Sequence, residues 1–347
     1  MVNIYDLDAG KDVDDTCVAA MAVLNPAKYK PSLFISSDES KTYGRAAFLA
    51  KIVRYSKENI PVAAGLPSPV HNYQNTLVER AGLVNPKKEY FITNGIDYLM
   101  DKIIDSQEQV NYFSLGALTN LATILKINPE LANKINLIQM GPSLDSIYRK
   151  PGSPEYNARI DIPSFMYVMN TVENKKFIMS HAASQKYETS NKQKLGVYTK
   201  GPVAIALKES KNKIHNLFYQ HLLAWEEYLH NKGDMKKQVC SIMYDPLTTL
   251  THFHNDLVDF AETELIYNNG LFEITNESKK ELLKLNPSRL IRLGDYLTQE
   301  TTLKGKTSKV TFSLNTDFDK AQQRIITELF GNTKPELANE WKEYNKK

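Results

Sequence analysis

Five carboxylates crowd the ten-residue stretch Asp6-Leu-Asp8-Ala-Gly-Lys-Asp12-Val-Asp14-Asp15. Charges packed this closely repel one another, more strongly as the site becomes drier, so something must compensate. A hard divalent cation is the simplest compensation. A group rich in oxygen, with no His and no paired Cys, suits Ca²⁺ or Mg²⁺ rather than zinc. The competing reading is that Asp12, Asp14 and Asp15 cap a helix and favour its positive end. That reading fits Asp12 but leaves Asp6 and Asp8 unexplained, because they fall on a strand or just past its end. The spacing is not that of an EF-hand, since no Glu stands at the twelfth position.

The elements that must position this cluster are legible as an alternation. Short apolar, β-branched runs at 3–7, 31–35, 61–64, 112–115, 135–140 and 177–180 read as strands. Between them the amphipathic stretches 15–24, 43–55, 95–104 and 119–125 read as helices. Strand and helix in turn predict an α/β fold with a mostly parallel sheet covered on both faces. Two later runs, 260–267 and 309–314, read as strands, and 317–330 as a closing helix. In such a sheet ligands bind beyond the carboxyl ends of the strands. The acidic cluster stands at the first of those ends.

Bulk properties narrow the classes. With 347 residues, no Gly/Ser linker and no internal repeat, one domain over 1–347 is expected. The 43 basic residues nearly balance the 40 acidic ones, for a net charge of +3, which gives no reason to expect a nucleic-acid partner. No apolar run approaches the ~20 residues of a membrane span, so no membrane partner is expected. No signal peptide is visible, and the only cysteines, Cys17 and Cys240, sit in apolar surroundings, so the cytoplasm is the expected compartment.

The pattern Asp-x-Asp-x-Gly-x-x-x-Asp-Asp, here Asp6 to Asp15, resembles the N-terminal signature of the inosine–uridine preferring nucleoside hydrolase family, in a form two residues longer than the commonest one. Further blocks are similar to that family's and occur in its order. They are Asn59-Ile-Pro-Val-Ala-Ala-Gly-Leu-Pro67, Ser114-Leu-Gly-Ala-Leu-Thr-Asn-Leu-Ala122, Gln139-Met-Gly-Pro142, Pro154-Glu-Tyr-Asn157 with Asp161, and Met243-Tyr-Asp-Pro246. Together they span about residues 3 to 320. The resemblance implies the nucleoside hydrolase fold, an open, mostly parallel Rossmann-like sheet with helices on both faces.

It also implies roles. One Ca²⁺ would be held by Asp8, Asp15, Asp245 and the backbone carbonyl of Leu115. Asp8 would be the general base toward a water that the cation acidifies. The water would attack C1′ as the N-glycosidic bond of a ribonucleoside breaks through an oxocarbenium-like state. Asp14 and Asp38 would contact the ribose, Asp38 with a one-residue uncertainty because Glu39 adjoins it. Glu155 and Asn157 would take the 5′- and 3′-hydroxyls. A homodimer or homotetramer is the assembly the resemblance implies.

Departures from the family pattern carry information. Tyr244 stands where a branch that accepts pyrimidines has a His, and an aromatic there, with Asp38, leans toward a stacked purine; a plain core aromatic is the alternative. The family's His-Gly block is missing, with His71 close to where it would fall. Lys11, with Arg149, Lys150 and Arg159, admits a nucleoside 5′-monophosphate or another N-ribosyl compound as substrate. A catalytically weak nucleoside-binding protein is a third reading, disfavoured because Asp8, Asp14, Asp15 and Asp245 are all retained. Trp225 and Tyr228 read as core packing or as part of a cover over the base.

Overall fold

Strand β1 (Val2–Leu7) is buried at nearly every position and pairs in parallel with two neighbours, so its carboxyl end is walled on both sides. The computed structural model describes residues 2–71, 73–144, 152–184, 194–233, 239–290 and 293–346. The further strands are β2 (Pro31–Ser36), β3 (Val62–Ala63), β4 (Val110–Ser114), β5 (Ile135–Met140), β6 (Lys175–Ile178), β7 (Gly196–Tyr198), β8 (Cys240–Ile242), β9 (Val258–Asn268), β10 (Leu271–Ile274) and β11 (Lys306–Thr316). Nine of them form one sheet in the order β10-β9-β11-β6-β5-β4-β1-β2-β3, and β7 pairs with β8 apart from it. From β3 through to β11 every neighbouring pair is parallel, whereas β9 pairs antiparallel with both β11 and β10.

The chain winds outward in one direction from β1 to β3 and in the other from β4 to β6. The point where the direction reverses lies between β1 and β4, the place where a sheet of this kind forms its ligand crevice, beyond the carboxyl ends. Period-2 alternation sends Tyr5 and Leu7 into a core on one face and Ile4 into a core on the other. The first core is covered by the helices Asp14–Leu24, Gly44–Ser56, Lys213–Asn231 and Tyr244–Phe253, among others. The second is covered by Gly95–Ile104, Thr119–Ile127 and Ile162–Thr171. Burial on both faces is why the parallel strands read as unbroken apolar runs.

The six early strands and both late ones stand where the sequence placed them, though the sixth begins and ends two residues earlier than expected. Three strands escaped notice. Two of them, β7 and β8, are three residues each, too short for any periodicity. The third, β10, returns from β9 through Asn269–Gly270, both at positive φ (48° and 80°). Asn-Gly between two apolar runs is a hairpin signal that the sequence does carry. No helix among the described residues is long and apolar enough to cross a membrane.

Candidate active site

The carboxylates that the sequence spreads along 240 residues converge in the crevice. Asp14 and Asp15 occupy the first turn of the helix Asp14–Leu24, and Asp245 the first turn of Tyr244–Phe253. A carboxylate oxygen from each lies within 4.8 Å of the other two, and all three residues are buried. Asp8 adjoins them: its backbone N–H donates to Asp15 Oδ1 at 3.0 Å, and its half-exposed side chain interacts with that of Asp15. Burial, and then the charges of the neighbouring carboxylates, push Asp14, Asp15 and Asp245 well above the ordinary carboxylate range. Three buried acids with hard oxygens and no cationic side chain among them suit a divalent cation, which would remove that repulsion. The sequence reading counted Asp8 among the ligands and Asp14 among the sugar contacts. The structure puts Asp14 in the three-carboxylate group and Asp8 beside it, through Asp15.

Two neighbours hold this cluster in place. Asp6 is fully buried on β1, and both its oxygens are occupied: Tyr112 Oη donates at 2.5 Å and Asn120 Nδ2 at 3.1 Å. Burial foremost raises its pKa to about 7. Asn120 also donates to the Ser36 carbonyl at 3.0 Å, so one amide pins the ends of β1 and β2 together. Ser241, the middle residue of β8, donates through Oγ to Asp12 Oδ1 and thereby joins the first loop to the segment that leads to Asp245.

Asp38 follows β2 in a left-handed conformation (φ 49°) and is fully buried. Its carboxylate meets Arg45 Nη2 at 3.2 Å, Ser68 Oγ at 2.5 Å, Tyr73 Oη at 2.5 Å and His71 Nδ1 at 2.8 Å. Burial alone would raise its pKa. The Arg45 charge and the donated hydrogen bonds outweigh burial and hold it below the usual range. Arg45 is itself buried, and its Nη1 donates to the Ala9 carbonyl at 3.0 Å, which ties the loop after β1 to the loop after β2. Glu39 has different work. It accepts from the backbone N–H groups of Arg45 (3.1 Å) and Ala46 (2.8 Å), at the start of the helix Gly44–Ser56. The geometry therefore separates the two adjacent acids that sequence alone left interchangeable.

On the other side of the crevice the Leu115 carbonyl accepts from Asn157 Nδ2 at 3.2 Å. Gly116, next to it, approaches so closely that an added Cβ would lie 2.1 Å from Ser37 Oγ and 3.0 Å from Asp8 Cβ. Glu155 caps the short helix Tyr156–Arg159 by accepting from the Asn157 N–H at 3.1 Å, and burial raises its pKa to about 7. Gly141 (φ 83°) leaves room for it, since a Cβ there would sit 2.8 Å from Glu155 Oε2. Tyr244 is half-buried, packs against the first core and lies near enough to Asp14, Asp12 and Glu155 to feel their charges. Lys11 reaches across to donate to Tyr156 Oη at 3.2 Å. Trp225 and Tyr228 stack on each other, with centroids 5.5 Å apart; Trp225 rests on the core, and Tyr228 lies close enough to Lys11 to affect its charge.

Sequence reasoning overlooked Arg45, Tyr73 and Ser241, whose importance depends on contacts between distant segments. Arg45 carried little signal, since its helical stretch also holds Lys51 and Arg54. Arg149, Lys150 and most of the loop after Asn231 lie outside the described residues.

Comparison with known proteins shows the family and the fold. The family described as inosine-uridine preferring nucleoside hydrolase matches residues 3–324, and the chain belongs to it, a family of N-glycosyl hydrolases. Over 167 residues the chain is 25% identical to a pyrimidine-specific ribonucleoside hydrolase, RihB, of Escherichia coli (strain SE11), covering 46% of this chain and 52% of that one. The match thus spans about half the length of that relative. The fold is similar to an inosine-uridine preferring nucleoside hydrolase from Bacillus anthracis, with TM-score 0.63, 15% identity, and 95% of this chain and 99% of that one covered. It is also similar to a purine-preferring ribonucleoside hydrolase from Gardnerella vaginalis, with TM-score 0.64, 14% identity, and coverages of 97% and 99%.

Proposed function

We propose that this chain, acting as one catalytic domain over 1–347, hydrolyses the N-glycosidic bond of ribonucleosides in a Ca²⁺-dependent reaction and favours purines. The observation that carries this reading is the convergence of Asp14, Asp15 and Asp245 within 4.8 Å, with Asp8 beside them, at the switch point of the sheet. Asp8, Asp15, Asp245 and the Leu115 carbonyl would hold the ion, with Asp14 close by. Bound there, a divalent cation would acidify a water and neutralise the clustered carboxylates. Asp8, partly exposed where Asp14, Asp15 and Asp245 are buried, accepts the water's proton as general base. Asp14 and Asp38 serve the ribose, Glu155 and Asn157 its 5′- and 3′-hydroxyls, and the ring of Tyr244 faces the base. The relatives do not choose the base, since one is named for pyrimidines and another for purines. The lean toward purines rests on Tyr244.

The test is a panel of inosine, guanosine, uridine, cytidine and their 5′-monophosphates, assayed for released reducing sugar with and without chelator. Sugar from inosine and guanosine, lost on chelation, is the expected result. Sugar from none of the nucleosides overturns the reading, and sugar from the monophosphates alone moves the substrate to a phosphorylated riboside.

A further inference from the structure

Hydrolysis of a nucleoside leaves one requirement unassigned: the departing base needs a proton on its ring nitrogen. Resting on the hydrolase reading above, we propose that Tyr156, held by Lys11, is the general acid that delivers it. Lys11 Nζ donates to Tyr156 Oη at 3.2 Å, so the phenol oxygen is the acceptor in that bond and keeps its own O–H to donate. Among the described residues Lys11 is the side-chain partner of that oxygen. The ring is bracketed by two cations, Lys11 Nζ at 5.0 Å and the Arg159 guanidinium at 5.5 Å from its centroid. Both favour the phenolate that forms when the proton leaves.

Position agrees with chemistry. Tyr156 stands between Glu155 and Asn157, and Asn157 reaches the Leu115 carbonyl next to Asp8. Tyr156 and Lys11 both lie close enough to Asp8 to feel its charge. The phenol is half-buried, with the His71 ring 6.1 Å from its own at an interplanar angle of 33°. Burial first, and then Asp8, hold the Tyr156 pKa up, so the group carries its proton at neutral pH; Lys11 pulls the other way. The Lys11 pKa is raised, since Tyr156, Asp8 and Tyr228 outweigh its burial, so its charge persists.

The step balances. As the C1′–N bond breaks, its electron pair goes to the base nitrogen, which takes the phenolic proton. The water oxygen bonds to C1′ and gives its proton to Asp8. The phenolate, hydrogen-bonded to the Lys11 ammonium, regains a proton from solvent as Asp8 loses one, and the sum is the addition of one water.

The experiment compares kcat/KM for inosine and for p-nitrophenyl β-D-riboside, whose leaving group departs without protonation, in the wild type, Tyr156→Phe, Lys11→Met and Lys11→Arg. Tyr156→Phe should lose ~10²–10⁴-fold on inosine, the usual cost of removing a general acid, and under ~10-fold on the activated riboside. Lys11→Met should show the same split at smaller size, and Lys11→Arg should recover part of it. Equal losses on both substrates, or no loss on inosine, overturn the assignment, with thermal melting confirming that the variants are folded. A wild type that cleaves the activated riboside while Tyr156→Phe fails to discriminate sinks the acid alone. A wild type that cleaves neither substrate sinks the hydrolase reading, and the acid with it.

Discussion

The side-chain amide of Asn157 donates to the backbone carbonyl of Leu115 at 3.2 Å, joining a residue of the Glu-Tyr-Asn block to the loop after β4. One contact thus links the sugar side of the crevice to an oxygen proposed for the cation. A carbonyl oxygen has two lone pairs, so Asn157 can orient it and leave one pair free. Asn157→Ala should therefore weaken cation affinity as well as nucleoside binding. Supporting partners of this kind are typically worth 10–100-fold in metal affinity or activity. Isothermal titration of Ca²⁺ into the variant without nucleoside isolates the first effect, and an unchanged cation Kd would confine Asn157 to the sugar.

Asp8→Asn should abolish most turnover and leave the fold intact. Loss of a general base costs ~10²–10⁴-fold, and any weakening of the cation adds to it. Asn is nearly isosteric with Asp, so the substitution leaves no cavity. Wild-type kcat in a folded Asp8→Asn protein would remove Asp8 from the role of base.

Adding Ca²⁺ should stabilise the protein, because Asp14, Asp15 and Asp245 repel one another in its absence. An ion at about 100 times its Kd contributes about 2.7 kcal/mol by mass action. Thermal melting with added Ca²⁺ and with chelator should differ by several degrees. Asp245→Asn should melt higher than wild type in chelator, since one repelling charge is gone, and should respond less to Ca²⁺. Identical melting of the wild type in both buffers would show that the cluster takes no cation.

The sheet was legible because buried parallel strands are continuous apolar runs, as in Ile135–Met140, which the structure reproduces to the residue. Pairings of three residues, Gly196–Tyr198 with Cys240–Ile242, leave no such trace. Asp8, Asp14 and Asp15 were visible because they crowd one short stretch of sequence, and Asp245 because its block matched a family pattern. The partners of Asp38 were not. They are contributed by two segments, the helix with Arg45 and the loop with Ser68, His71 and Tyr73, that meet only in the folded chain. A linear sequence displays spacing but hides which charge faces which.

That group around Asp38 makes its own prediction. Arg45 and Asp38 form a pair whose side chains are 2% and 0% exposed. Removing one member of a buried pair strands the other's charge, at a cost of about 3–5 kcal/mol, so Arg45→Met should lose about that much at pH 7. The Asp38 pKa lies below its unfolded value of about 3.9, so its contribution is present above pH ~4 and lost as pH falls through the folded value. The deficit of Arg45→Met should accordingly shrink in acid, where Asp38 takes a proton. Urea midpoints of both proteins at pH 7 and pH 3.5 provide the check. A deficit that stays constant with pH would show that Arg45 acts by packing rather than by charge.

Tyr244 separates the substrate readings. It is half-buried at the start of the helix that carries Asp245, and it lies near enough to Asp14 and Glu155 to feel their charges. If the ring stacks on a purine, Tyr244→Ala should cost about 1–3 kcal/mol of base binding, by analogy with aromatic stacking on nucleic-acid bases. The loss should then be far larger for inosine than for uridine, whose smaller ring gains less. If the hydroxyl instead protonates the leaving group, Tyr244→Phe should already lose most of the turnover, and uridine should suffer at least as much as inosine. That result would also compete with Tyr156 for the role of acid. If Tyr244 only fills the core, both variants should melt lower and keep the wild-type ratio of kcat/KM between the two nucleosides. The expected outcome is the first: Tyr244→Phe retains activity, and Tyr244→Ala loses inosine selectively. Equal losses for inosine and uridine in Tyr244→Ala would show that the purine assignment is wrong.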